Sequence, residues 1–141
     1  MKKIFLPFAL VLAIAISCAQ KFETWQIPKI VLHNFQKQQP HIDADWETED
    51  SVYEATFKSG EDNISLLYNQ AGDLLQTEKI IKTAAVPYEI KSYLAKNKKD
   101  QKITRAKKVT KENGVVNYEV ILNRQHLTFS EEGKFIKVPN P

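Results

Sequence analysis

A chain of 141 residues with a formal net charge of +3, of which 43% are hydrophobic and 26% charged, has room for one or two small domains. That balance excludes a disordered tail, a collagen-like chain and a polytopic membrane protein. The single cysteine excludes an internal disulfide framework and a cysteine-based zinc site.

Met1-Lys2-Lys3 is a short positive start. Ile4 to Ile16 is an apolar run broken only by Pro7, and Ser17-Cys18-Ala19-Gln20 follows. This is the layout of a secretory signal. The apolar run falls short of the ~20 residues that a membrane-spanning helix needs. Two cleavage readings stand. Ser17-x-Ala19 suits an ordinary signal peptidase, which would leave Gln20 first. Ala15-Ile16-Ser17-Cys18 suits lipidation, with Cys18 becoming the first residue, and the one cysteine of the chain sits where a lipobox cysteine belongs. Both readings export the protein, and the second anchors it stably through several acyl chains. Removing residues 1–19 leaves 122 residues, with 18 basic and 17 acidic side chains. Trp25 then lies near the mature N-terminus, as a staple over the first helix or part of a tether.

The rest of the chain repeats. Ile27-Pro28 and Val86-Pro87 each open a helical pattern. Ile27, Val31, Asn34 and Phe35 share one face, and Val86, Ile90, Tyr93 and Leu94 share the same offsets. Proline suits the first helical turn, where its missing N–H has no intrahelical partner. Both helices decay into polar residues, at Gln36–Gln39 and Lys96–Asp100. Strand-like segments follow each. Val52-Tyr53-Glu54-Ala55-Thr56-Phe57 parallels Val116-Asn117-Tyr118-Glu119-Val120-Ile121, and Ile64 to Tyr68 parallels Gln125 to Phe129. Asn69 to Leu75 parallels Ser130 to Ile136, with Gly72 and Gly133 in tight turns where positive φ is cheap only for glycine.

Each unit therefore reads as a helix and four antiparallel strands. The expected strands are 43–49, 51–58, 62–69 and 74–81, then 102–111, 115–123, 125–130 and 134–138. Short turns favour meanders, and such strands need one face covered, which the helices supply. The expected fold is α+β: two tandem helix-plus-four-strand antiparallel units, over 24–82 and 83–141, forming one continuous sheet with helices on one face.

This order of motifs, with Trp46 in a strand, Tyr53 to Phe57, and the aromatic-to-glycine turn twice over, resembles the PepSY-like family of bacterial envelope proteins. Their fold is similar to that of the beta-lactamase inhibitory protein. The resemblance covers about residues 24–138. It implies a periplasmic or lipid-anchored protein, no known catalysis, and protein binding. The second unit departs from the pattern, placing Arg105-Ala106-Lys107 where Trp46 stands in the first.

Signs of chemistry are few. His33, His41 and His126 lack the i, i+4 partner of a helical zinc site. No Gly-x-Ser-x-Gly occurs, and four glycines form no phosphate loop. Asp43, Asp45, Glu47 and Glu49 alternate with Ile42, Ala44, Trp46 and Thr48, so a strand puts the four acids on one face and Trp46 on the other. The spacing and glycine of an EF-hand are missing, so a solvated face comes first, then partner recognition, and a calcium site last. Residues 20–82 hold 6 basic and 11 acidic side chains, and residues 83–141 hold 12 and 6. Lys96, Lys98, Lys99, Lys102, Arg105, Lys107, Lys108 and Lys111 form a basic stretch. An exported address argues against nucleic acid and for an acidic protein surface or anionic headgroups, with the plainer reading of a charged helix end and strand edge kept soluble weighed against both.

The expected function is that of a non-catalytic envelope protein that binds another protein through its exposed sheet face. A small-ligand or lipid-binding envelope module is the alternative. No catalytic residue, metal or cofactor is expected, and a monomer is. Candidate contact residues are Trp46, Tyr53, Tyr68, Lys107 and Lys108. Trp46 is the leading anchor because tryptophan is enriched at binding hot spots, and its competing role is to plug the core under the first helix. Tyr53, Phe57, Tyr68, Tyr118 and Phe129 recur at matched positions, as core packing or as a grip. The membrane attachment is directly testable. Metabolic labelling with a palmitate analogue should tag the wild type, and Cys18→Ser should abolish the tag. Unlabelled wild type beginning at Gln20 would establish the unlipidated form.

Overall fold

The computed structural model describes residues 23–123 and 125–136. The signal-like segment with Cys18 lies outside the described residues, as does the side chain of Trp25.

Both helices start from proline. Pro28 caps α1 (Lys29–Gln38) and Pro87 caps α2 (Tyr88–Asn97). The proline carbonyls accept from Leu32 N–H and Lys91 N–H, both at 3.1 Å. A three-residue 3-10 turn precedes each, at Thr24–Gln26 and Thr83–Ala85. Val31 and Phe35 are the buried residues of α1, and Ile90 and Leu94 those of α2, the residues that the shared spacing predicts.

Eight strands follow chain order in one antiparallel sheet. They are β1 (Asp45–Glu49), β2 (Val52–Ser59), β3 (Asp62–Tyr68), β4 (Leu74–Ile81), β5 (Ile103–Lys111), β6 (Val116–Leu122), β7 (Gln125–Ser130) and β8 (Phe135–Ile136). The first strand begins two residues later than its acidic alternation suggests. Ile42 and Ala44 still pack against the core, from outside the ladder.

The two units build separate cores. Ile27, Val31, Phe35, Trp46, Ala55, Phe57, Leu66 and Tyr68 form the first. Val86, Ile90, Leu94, Ala106, Val120, Leu122, Leu127 and Phe129 form the second. Register stacks the repeat. Trp46 pairs with Ala55 and Ala55 with Leu66, while Ala106 pairs with Val120 and Val120 with Leu127. The matched turns agree in detail. Asn69 N–H donates to Asp73 O at 3.0 Å and Ser130 N–H to Lys134 O at 2.8 Å, each closing around a glycine.

Those glycines hold the helices close. Gly72 has φ +87° and Gly133 φ +79°, values that L side chains rarely adopt. A Cβ on Gly72 would stand 2.9 Å from Ile30 Cγ1, and one on Gly133 would stand 2.5 Å from Glu89 Cβ. Asn34 Nδ2 donates to Gly72 O at 2.8 Å, which ties α1 to the turn.

Phe35 is 3% exposed. Its ring meets Trp46 edge-on at 5.3 Å and Phe57 at 5.7 Å. Phe35→Ala should destabilise the protein by roughly 3–5 kcal/mol, as aromatic truncations in cores do. Chemical denaturation reads this directly, and an unmoved midpoint would refute the packing of α1.

Candidate functional site

Residues alternate across a strand, so every core residue fixes which neighbours face away from the helices. The open face is that second set. On β1 and β2 it presents Asp45, Glu47, Glu49 and Glu54, with Glu47 directly opposite Glu54. Like charges placed so are destabilising, and folding alone does not favour them. On β5 it presents Arg105, Lys107 and Lys111, with Glu119 of β6 opposite Lys107 and His126 of β7 opposite Ile121. Between the acidic strands and β5 lie Leu67 and Ile80, both half-buried; β5 itself carries Val109, which is 2% exposed, and half-buried Ile121 follows on β6.

Glu78 sits at the centre, 8% exposed. Lys107 Nζ donates to its Oε2 at 2.6 Å and Gln76 Nε2 to its Oε1 at 2.8 Å. A carboxylate removed from water needs such partners, and both bonds are charge-assisted. The alternation that exposes the acids was readable in the sequence. The burial of Glu78 and Val109 on a face without a helix was not, because it depends on how neighbouring strands close over them.

Three of the expected contact residues belong to the core. Trp46 is 4% exposed and Tyr68 fully buried, with ring centroids 6.5 Å apart. Both point toward α1, so neither is a surface anchor. Tyr53 packs half-buried against the same core. Its partners Thr48 and Tyr68 place it on the helix side. Lys107 and Lys108 are consecutive in β5 and so face opposite ways. Lys107 is on the open face, bound to Glu78. Lys108 is on the helix side, opposite Lys79 and Tyr118. The basic stretch is thereby divided: Lys96, Lys98, Lys99 and Lys102 sit at the end of α2 and in the loop before β5, off the sheet face.

His33, His41 and His126 are exposed and separate. His41 and Asp43 line a shallow depression of about 580 Å³ with Gln36, Pro40 and Ile42. Among the described residues no group of three or more His, Cys, Asp or Glu side chains is arranged to hold a metal ion. Among them, too, no helix is long and apolar enough to cross a membrane.

The sequence matches no protein-family profile, and no curated protein matches it. Solved structures do. A protein from Bacteroides eggerthii, named as a candidate periplasmic protein, superposes with TM-score 0.70 at 13% identity, covering 78% of this chain and 86% of its own. A DUF2874 family protein from Bacteroides uniformis gives 0.70 at 15%, covering 78% and 86%. A BLIP-like protein from Bacteroides fragilis gives 0.62 at 15%, covering 77% and 82%. At these identities the likeness is one of fold, and the fold is BLIP-like.

Tyr68 offers a direct test of the core assignment. Its hydroxyl donates to Gln38 Oε1 at 2.8 Å, and burial pushes its pKa up to about 12. The unfolded phenol ionises near ~10, so the folded state holds its proton longer. That contribution to stability is complete below about pH 10 and is lost as pH rises from about 10 to about 12. Tyr68→Phe should cost ~1 kcal/mol at neutral pH and should flatten the alkaline decline. Absorbance titration should lose its last-ionising tyrosine in that variant. An unchanged late phase would place Tyr68 outside the core.

Proposed function

We propose that this chain is an exported, non-catalytic module of the bacterial cell envelope that binds another protein through the open face of its sheet. The observation that carries the reading is the composition of that face. Half-buried aliphatic residues, Leu67 and Ile80, lie between the acidic strands β1 and β2 and the basic strand β5, and Ile121 lies just beyond it on β6. Interfaces combine an apolar centre with a polar, charged surround, and charge of two signs orients a partner as it approaches. Export is supported by the signal-like opening around Ser17-Cys18-Ala19 and by fold neighbours that include a candidate periplasmic protein. The PepSY-like resemblance agrees with this address. A fold does not name a target, so beta-lactamase inhibition is not carried over from the BLIP-like neighbour.

The test is capture from an envelope extract on the immobilised protein. Glu47→Lys with Glu54→Lys, and separately Arg105→Glu, should each deplete the captured proteins several-fold at low salt. Lys29→Glu, on exposed helix surface, should not. Capture indifferent to both open-face changes would sink the reading.

A further inference from the structure

The two units share a single strand junction, β4 against β5. Their cores lie on either side of it and have no residue in common. On the helix side this seam carries Ile81 opposite Ala106, which pack in the second core, and then Thr77, Lys79, Lys108 and Thr110, which belong to neither core. Register sets Lys79 directly opposite Lys108. Both face the helices, because Lys79 pairs with Ile64 beside the first core and Lys108 with Tyr118 beside the second. Asp62 holds the Lys79 ammonium at 2.6 Å, on the side of the first unit, with both side chains half exposed. Lys108 has no ion pair among the described residues.

The open side of the same seam carries the opposite electrostatics. Glu78 of β4 and Lys107 of β5 bond at 2.6 Å, with side-chain exposures of 10% and 24%. Val109, in register with Glu78, is buried although no helix covers it.

We propose that charge sets the angle between the two units. Attraction between Glu78 and Lys107 shortens the open side of the seam. Repulsion between Lys79 and Lys108 lengthens the helix side. Both bend the units toward the open face and spread the helices apart, and the bend closes the sheet's own side chains over Val109 and Glu78. The two halves differ in their response to salt. The exposed lysines are screened, whereas the buried pair is screened much less. The device fixes the distance between the acidic strands and the basic strand. It stands independently of whether that face binds a protein.

The test measures the angle. In the full chain carrying Cys18→Ser, spin labels go on Lys37→Cys of α1 and Lys96→Cys of α2, both exposed positions. Pulsed electron paramagnetic resonance then gives the distance between the helices. Lys108→Glu places opposite charges across the helix side and should shorten the mean distance by several ångström. Glu78→Gln, which keeps the shape and removes the attraction, should shorten it too. About 1 M salt, where the screening length is about 3 Å, should move the parent protein the same way. Lys29→Glu, an equal charge change away from the seam, should leave the distance alone. Circular dichroism checks each fold, and Lys108→Glu decides alone if Glu78→Gln unfolds. A distance unchanged in Lys108→Glu, or shifted as much by Lys29→Glu, overturns the proposal.

Discussion

The ladder between β4 and β5 is the constraint on which the molecule depends. It runs from Gln76 opposite Lys111 to Ile81 opposite Ala106, and through it two small cores act as one protein. Each unit has one ten-residue helix and four strands. An isolated helix of that length is marginal in water, so α1 and α2 exist because they cover sheet. The sheet in turn is wide enough to need both. Antiparallel strands tolerate one solvated face, and here that permission produces the open face.

From this ladder and the period of two, most side-chain positions follow. Once Leu66 and Tyr68 point to α1, Leu67 must point away. Once Val120 points to α2, Glu119 and Ile121 must face solvent. The charged open face is therefore the complement of the core. What the complement does not dictate is its chemistry. Glu47 opposite Glu54, and an aliphatic band inward of them, are choices beyond the needs of folding.

The repeat made the fold legible. Two prolines at helix starts, two glycines in matched turns and Tyr-Glu-aliphatic segments at matched places specify the element order, because each carries a local backbone requirement. The same alternation put Trp46 and the acids on opposite faces. It left open which of those faces was wet. The answer lay in Ala55 and Leu66, whose pairing to Trp46 runs through two strands and cannot be seen in one. Lys107 and Lys108 failed as a pair for a simpler reason. Adjacent residues in a strand never share a face, so a run of basic residues is not a basic patch. The charge asymmetry between the units is real in sequence, yet much of it resides at the end of α2.

The repeat also differs where it matters most for shape. The matched cores are filled from opposite ends. In the first unit Phe35, Trp46 and Phe57 cluster over β1 and β2, with Tyr68 of β3 beside Trp46. In the second, Tyr93 meets Phe129 edge-on at 5.4 Å and stacks on Phe135 at 5.3 Å, toward β8. The position equivalent to Trp46 is Ala106, beside the seam. Trp46 on β1 and Phe135 on β8 thus mark the two outer margins of the sheet, while Tyr68 and Tyr118 stand one strand from the seam. The seam strands carry Thr77, Lys79, Ile81, Ala106, Lys108 and Thr110 on the same side. A core packs to near-crystalline density and resists deformation. Where the junction is lined with threonine and lysine, from Thr77 to Lys79 and Lys108 to Thr110, it has no such jigsaw to fix its angle; only Ile81 and Ala106 at one end pack in a core. With two rigid ends and a thinly packed middle, polar contacts at the middle acquire an influence on shape that they would not have inside either core.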